Sequence, residues 1–349
     1  MTPNNLSPLF SICIPTFNRR EMLSQALHSA LKQTYGNIEI IVSDNASTDG
    51  TAEMVANFRD GRIRYFRNDT NRGPAANWEQ CVHLARGEYF SWLQDDDLLL
   101  KDFVGAAVAT LTSANAACCI AACYETSTPA SLSGASVFGT AMMLDWSAAR
   151  PVSLPLTLAL PLAIFESSGI PPAMAFRTTA VRRIGRDWCY TNYPLYAERM
   201  PIVLFAASGG VVFMPMVGGI FRLHPGQYSR AMLFHTAPSR AQYEAFLMAL
   251  EDIRNVSRVT LDDFAQFLTE APDKVVERFY LASSRRRSNV RFFHDVKKIV
   301  RQEYKSRHVG ATKYRIWRLC QDLAPPLLVR GLVGPIQRVA KWLGIRLVI

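Results

Sequence analysis

Two rhythms of apolar positions alternate along the first 95 residues. The run Leu9–Ile14 (LFSICI) ends at Pro15 and predicts a buried strand. Met22, Leu23, Ala26, Leu27, Ala30 and Leu31 then recur at helical spacing. Ile38–Val42 predicts a second strand, and Met54, Val55 and Phe58 give the next helix its apolar face. Ser47, Thr48 and Asp49 are of the types that cap such a helix. A turn at Asp60-Gly61 leads to a third strand at Ile63–Phe66. Pro74 suits the first turn of a helix whose inner stripe is Trp78, Cys81, Val82 and Ala85. Glu88–Leu93 is the fourth strand, and it runs straight into three aspartates.

The order β-α-β-α-β-α-β predicts a parallel α/β sheet with helices on both faces. Ligands of such sheets bind beyond the carboxyl ends of the strands. That edge would gather Pro15–Asn18, Asp44–Ser47, Asn71–Gly73 and Asp95–Asp97. Further on, the pattern is looser. A strand is expected near Cys118–Cys123, a turn at Gly169–Pro172 and a strand at Met174–Arg177. Glu198–Ala207 reads as a helix, with two short strands, Val211–Met214 and Gly219–Leu223, around a glycine turn. From about residue 240 the rhythm is helical.

Each strand end carries its own chemistry. Asp95, Asp96 and Asp97 repel one another, and a hard divalent cation shared with substrate phosphates would relieve that repulsion. Asp44, just after a strand, can accept a hydrogen bond from a nucleobase N–H. For Ser47–Thr51, helix capping alone explains the residue types. Gly73 opens a helix N-terminus to close approach by an anionic ligand. Taken singly, each segment also suits a solvated turn or a cap.

Together the segments resemble the family-2 glycosyltransferases. The match runs through Ser11–Arg19 (SICIPTFNR), Asp44–Thr51, Asn71-x-Gly73-x-x-x-Asn77, and Gly87-Glu88-Tyr89 leading to Asp95-Asp96-Asp97. In detail it is similar to bacterial enzymes that add sugars to O-antigen or capsule repeat units. The resemblance implies a GT-A fold: a Rossmann-like nucleotide-binding half with a mostly parallel sheet, a smaller acceptor half and then a helical C-terminal extension. The expected boundaries are 8–235 for the GT-A domain, divided into 8–114 and 115–235, and 236–349 for the helical basic region.

The resemblance also assigns roles. Pro15, Thr16 and Phe17 would line the nucleobase and ribose pocket, Asp44 would hold the base, and Asn18 and Asn45 would contact the nucleotide sugar. Asn71, Gly73 and Asn77 would lie near the nucleotide. Asp95 would bind the sugar-nucleotide, and Asp96 and Asp97 the metal, Mn²⁺ or Mg²⁺. Gln94 stands where the commoner Asp-x-Asp-Asp pattern has its first acid, but both registers make Asp96 a metal ligand. The segment Arg222-Leu223-His224 with Ser229 downstream resembles the family's Arg-x-His-x-x-x-x-Ser. It makes Arg222 a diphosphate contact and His224 a metal or diphosphate ligand. Glu198 would be the catalytic base, although Arg199 replaces the usual second acid. The reaction implied is inverting transfer from a nucleotide diphosphate sugar to a saccharide or lipid-linked saccharide, in surface polysaccharide biosynthesis. Two alternatives remain at this point. One is a catalytically idle nucleotide-sugar-binding scaffold of the same fold. The other is a sugar-nucleotide pyrophosphorylase, which would want a Gly-rich basic loop where Pro15–Asn18 stands.

Composition refines the setting. The chain has 349 residues, 49% apolar and 19% charged, which excludes wholesale disorder. Its net charge of +10 is unevenly placed. Residues 281–349 hold 16 Lys/Arg against 3 Asp/Glu, while the remainder is slightly acidic. Arg285–Arg287, Lys297, Lys298 and Arg301 interleave with Phe292, Phe293, Val296 and Val300. That mixture suits either an anionic membrane surface bound through 285–349 or a helix packed on the core with a solvated basic face. No nucleic-acid motif is present, so nucleic acid is not an expected partner. The seven cysteines are odd in number and form no C-x-x-C, and they read as small buried hydrophobes in a reducing compartment. The start MTPNNLSPLF lacks the pattern of a secretory signal. Residues 202–221 are uncharged but interrupted by Gly209-Gly210, Pro215 and Gly218-Gly219, so no membrane span is expected. The expected location is cytoplasmic, or peripheral on the cytoplasmic face of the inner membrane.

Overall fold

The computed structural model describes residues 7–127, 136–138, 152–154, 159, 172–184, 200–227, 240–257, 260–271, 273, 276–277, 279–280 and 288–308. The predicted alternation is present. β1 (Phe10–Thr16), α1 (Arg20–Leu31), β2 (Ile38–Asp44), α2 (Thr51–Ala56), β3 (Ile63–Arg67), α3 (Gly73–Leu84) and β4 (Tyr89–Trp92) follow in order. Every residue of β1 and β2 is buried, which is why both read as near-continuous apolar runs. Side chains alternate across the pleat. Phe10, Ile12 and Ile14 join the core under α1, with Leu23, Ala26, Leu27 and Ala30. Cys13 and Ile41 face the other way, toward Cys81 and Val82 of α3.

After β4 come β5 (Leu98–Leu99), α4 (Phe103–Ser113), β6 (Cys118–Thr126), β7 (Ser136–Phe138), β8 (Val152–Leu154), β9 (Met174–Arg177), α5 (Thr178–Ile184), α6 (Met200–Ser208) and β10 (Val211–Arg222). The sheet runs β3-β2-β1-β4-β9-β6-β10-β5, with β7 beside β6 and β8 beside β10. β1 to β4 are mutually parallel. β9 is antiparallel to both β4 and β6, and β10 is parallel to β6. Two reversals restore the direction, so β10 points the same way as β1 and β4. Its carboxyl end therefore arrives at the edge where β1, β2 and β4 end.

β10 departs from the expected pair of short strands. It is one 12-residue strand, irregular in register between Phe213 and Val217 and again between Val217 and Gly219. The break signals are accommodated as bulges, where a proline's missing N–H costs no ladder bond. Gly219 is required by close approach, because a Cβ there would meet Pro172 Cγ at 2.5 Å and Leu98 O at 2.9 Å. The five described cysteines, Cys13, Cys81, Cys118, Cys119 and Cys123, are buried and unbridged, as expected.

α7 (Arg240–Ser257), α8 (Leu261–Glu270) and α9 (Arg291–His308) follow. Phe292, Phe293, Val296, Val300 and Tyr304 on α9 are buried in the same core as Trp92, Ile202 and Phe213. Arg291, His294, Lys298, Arg301 and Lys305 form the exposed side of that helix. Over α9, then, the apolar residues that suited membrane insertion serve the core, and the cations form a solvated face. Arg307 closes the end of α8, its guanidinium donating to the carbonyls of Leu268, Thr269 and Ala271. Arg285–Arg287 and the chain beyond His308 lie outside the described residues. Among the described residues, no helix is long and apolar enough to cross a membrane.

Candidate active site

The site forms where β1, β4 and β10 end. β4 stops at Trp92, and the turn that follows places Asp95, Asp96 and Asp97 at 4%, 8% and 0% exposure. Thr16, the last residue of β1, donates its hydroxyl to Asp95 Oδ2 at 2.7 Å. Arg19 bridges two of the acids. Its Nη1 lies 2.9 Å from Asp95 Oδ1 and 2.8 Å from Asp96 Oδ2, and its Nη2 donates to Gly226 O at 2.9 Å. His224 Nε2 is 3.1 Å from the same Asp96 Oδ2.

Arg222 works from beneath. Its backbone N–H donates to Asp97 Oδ1 at 2.9 Å. Its guanidinium donates to the carbonyls of Asp96, Asp95 and Met22 and to Gln25 Oε1. Gln227 holds the Arg222 carbonyl at 2.8 Å. A diphosphate contact was expected of Arg222. In the structure its donors hold the aspartate loop against α1 and the end of β10, and Arg19 takes the more open position beside the carboxylates.

Burial dominates the electrostatics. It pushes Asp95 up to about 6, with the Arg19 guanidinium opposing and Asp96 adding to the rise. Burial, then the neighbouring Asp96, raises Asp97 well above the ordinary carboxylate value. Asp97 Oδ2 is buried and has no hydrogen-bond partner. Three acids thus face two guanidiniums, and one acceptor is left over. Carboxylates and an imidazole suit Mn²⁺ or Mg²⁺ chemically. Among the described residues, however, no group of three or more His, Cys, Asp or Glu is arranged to hold a metal.

A second cluster lies at the ends of β2 and β3. Asp44 is fully buried; Oδ1 accepts from Ser47 N at 2.9 Å and Oδ2 from the Tyr65 hydroxyl. Arg67 Nε stands 3.9 Å from the same carboxylate. Asn45 Nδ2 donates to Asn71 Oδ1 at 2.7 Å and to Gly73 O at 3.1 Å. Gly73 adopts φ +82°, a conformation that favours glycine. Asn77 is buried against Ser43, giving and receiving bonds of 2.8 and 2.7 Å. Asn45, Asn71 and Asn77 thus knit the loop before α3 to β2. Asn45 N donates to Thr16 O at 2.9 Å, which joins this cluster to the first.

The Ser47–Thr51 segment only partly caps α2. Asp49 Oδ1 accepts from Thr51 N at 3.2 Å, but Asp49 Oδ2 accepts from Arg20 N in α1. Ser47 Oγ and Thr48 N instead hold Asn18, at 2.8 Å each. They support Asn18 at φ 51°, which sets the loop leading to Arg19. Pro15 is buried in β1 beside Ser43, and Phe17 is 42% exposed. Glu198, Arg199 and Ser229 lie outside the described residues. Arg19 stood within the recognised motif but had no role assigned. Its partners are 76 and 77 positions away, and no local spacing announces them.

A parallel four-strand half joined through an antiparallel strand to a second half, with clustered acids at the shared edge, defines a GT-A glycosyltransferase fold. The crystal structure of S. aureus TarS 1-349 in complex with UDP-GlcNAc is similar over 86% of this chain and 92% of its own, with a TM-score of 0.50 and 14% identity. Residues 11–136 match the model for glycosyl transferase family 2. Abequosyltransferase RfbV of Salmonella typhimurium is 48% identical over 99 residues, 27% of this chain and 30% of its own length. GalNAc(5)-diNAcBac-PP-undecaprenol beta-1,3-glucosyltransferase of Campylobacter jejuni is 41% identical over 97 residues, 27% of this chain and 31% of its own. The aligned segment thus spans about a third of the curated relatives it matches.

Proposed function

We propose that the chain transfers a glycosyl group, with inversion, from a nucleotide diphosphate sugar to a hydroxyl of a saccharide or lipid-linked saccharide in surface polysaccharide biosynthesis. The observation that carries this reading is the Asp96 carboxylate, held between Arg19 and His224 where three strands end. The nucleoside would lie toward Asp44, with the exposed Phe17 ring beside it, and the diphosphate toward Asp96 and His224. Asp95, anchored by Thr16, would receive the sugar-nucleotide. A divalent cation, when bound at Asp96 and His224, supplies charge neutralisation for the departing diphosphate. Asp97 supports the loop from below through Arg222 N. Glu198 is assigned as the base that takes the acceptor's proton, on the resemblance of its segment.

The test combines donor binding with transfer. A panel of nucleotide sugars should produce one donor-specific rise in melting temperature that requires Mn²⁺. The same donor should then be consumed in an acceptor-dependent reaction. Glu198→Gln should retain that thermal shift and lose about 10²- to 10⁴-fold in turnover. Full turnover in this variant would remove Glu198 as the base. Donor binding with no turnover on any acceptor preparation would instead favour the idle scaffold.

The exposed cations of α9 support a peripheral location at an anionic surface through charge rather than insertion. Binding to phosphatidylglycerol vesicles should be strong at low salt and should vanish near 0.5 M salt, where screening is short-ranged, on the order of 4 Å. Salt-insensitive binding would point to insertion by another segment.

A further inference from the structure

We propose that Arg19 is a displaceable cation built into the site, which holds Asp95 and Asp96 together before loading and yields Asp96 to the divalent cation when the diphosphate arrives. The inference rests on the metal-dependent reading above and concerns a residue to which that reading gives no role. Asp96 Oδ2 is the oxygen contacted by both Arg19, at 2.8 Å, and His224, at 3.1 Å. With both neighbours in place, its two lone pairs are occupied. A cation shared by this oxygen and His224 would take the imidazole's place on it and would lie close to the Arg19 guanidinium, whose like charge it repels.

Of the two guanidiniums, Arg19 is the one able to leave. Arg222 is 5% exposed and bonded to three carbonyls and Gln25. The Arg19 side chain is 27% exposed, and beyond the two acids its recorded tie is to Gly226 O. Asp95 keeps its Thr16 bond if Arg19 departs. The freed guanidinium is a planar fork of donors, and such forks bind diphosphate oxygens bidentately. Arg19 would thus compete with the metal in the free protein and assist the diphosphate in the loaded one. Its contact with Gly226 also ties the loop after β10 to the loop after β1, so departure would untie the two loops together.

The proposal makes two predictions of opposite sign. A resident competitor lowers apparent affinity in proportion to its occupancy. In the full-length protein without nucleotide, Arg19→Gln should bind Mn²⁺ about tenfold more tightly by electron paramagnetic resonance titration. For Mn²⁺ with inorganic pyrophosphate, the same variant should bind pyrophosphate about tenfold more weakly. Arg19→Lys retains the charge without the fork. It should leave Mn²⁺ affinity near wild type and still weaken pyrophosphate, which guards against a folding defect in the Gln variant. Equal or weaker Mn²⁺ binding by Arg19→Gln would overturn the proposal, as would unchanged pyrophosphate affinity. Absence of Mn²⁺ binding by both wild type and variant, with and without pyrophosphate, would overturn it together with the metal-dependent reading. Normal metal dependence with no change on Arg19 substitution would sink this inference alone.

Discussion

Asp96→Ala is expected to reduce turnover by about a thousandfold or more while the protein remains folded. Asp96 is the acid that reaches both Arg19 and His224, so its loss removes the shared oxygen and leaves each without that partner. In the proposed transfer the departing diphosphate would then lose a stabiliser that acts mainly in the transition state, so the effect should fall on kcat. The fold should tolerate the change. Asp95 retains Thr16 and Arg19, Asp97 retains the Arg222 N–H, and repulsion among three buried acids is eased. Melting temperature should stay within about 3 °C of wild type, corresponding to a change of roughly 1 kcal/mol. Near-normal kcat in a folded Asp96→Ala protein would remove the metal assignment.

Arg222→Met is expected to act mainly on stability, by about 3–5 kcal/mol. The side chain fills a buried position and makes four hydrogen bonds, to the carbonyls of Asp96, Asp95 and Met22 and to Gln25. Methionine replaces the volume, but it leaves those acceptors unmade and the neighbouring acids less compensated. A fall of about 10 °C in melting temperature should result. Arg222→Lys should recover little, because an ammonium cannot reproduce the planar fork. A shift under about 2 °C for Arg222→Met would show that the guanidinium does not brace the loop.

Much of the N-terminal half was legible because its signals are local. Leu23, Ala26, Leu27 and Ala30 recur with the helical period because α1 packs one side on β1 and β2. β1 and β2 read as apolar runs because both of their faces are covered. The acids at the end of β4 were legible for a related reason: three adjacent carboxylates after an apolar strand contradict burial unless something compensates them.

Other features were opaque because they depend on distant partners. Pro215 and Gly218-Gly219 break a strand by any local rule, yet β10 continues through them because β6 and β5 supply its ladder and the bulges absorb the irregularity. The cations and aromatics of α9 looked alike for a membrane helix and a core helix. The buried positions of Phe292, Phe293 and Val296 decide for the core over that helix. Arg222 was identified by its motif, but the direction of its guanidinium depends on Gln25 and Met22, nearly 200 positions earlier.

From the residues alone came the order of elements, the sheet edge where the strands end and the acids that stand there, since hydrophobic period and adjacent like charge are properties of neighbours in the chain. The assembly of those acids with Arg19, Arg222 and His224 belongs to the folded sheet. Two strand reversals bring the end of β10 beside the end of β4, and burial then forces each guanidinium to find a carboxylate or carbonyl within reach.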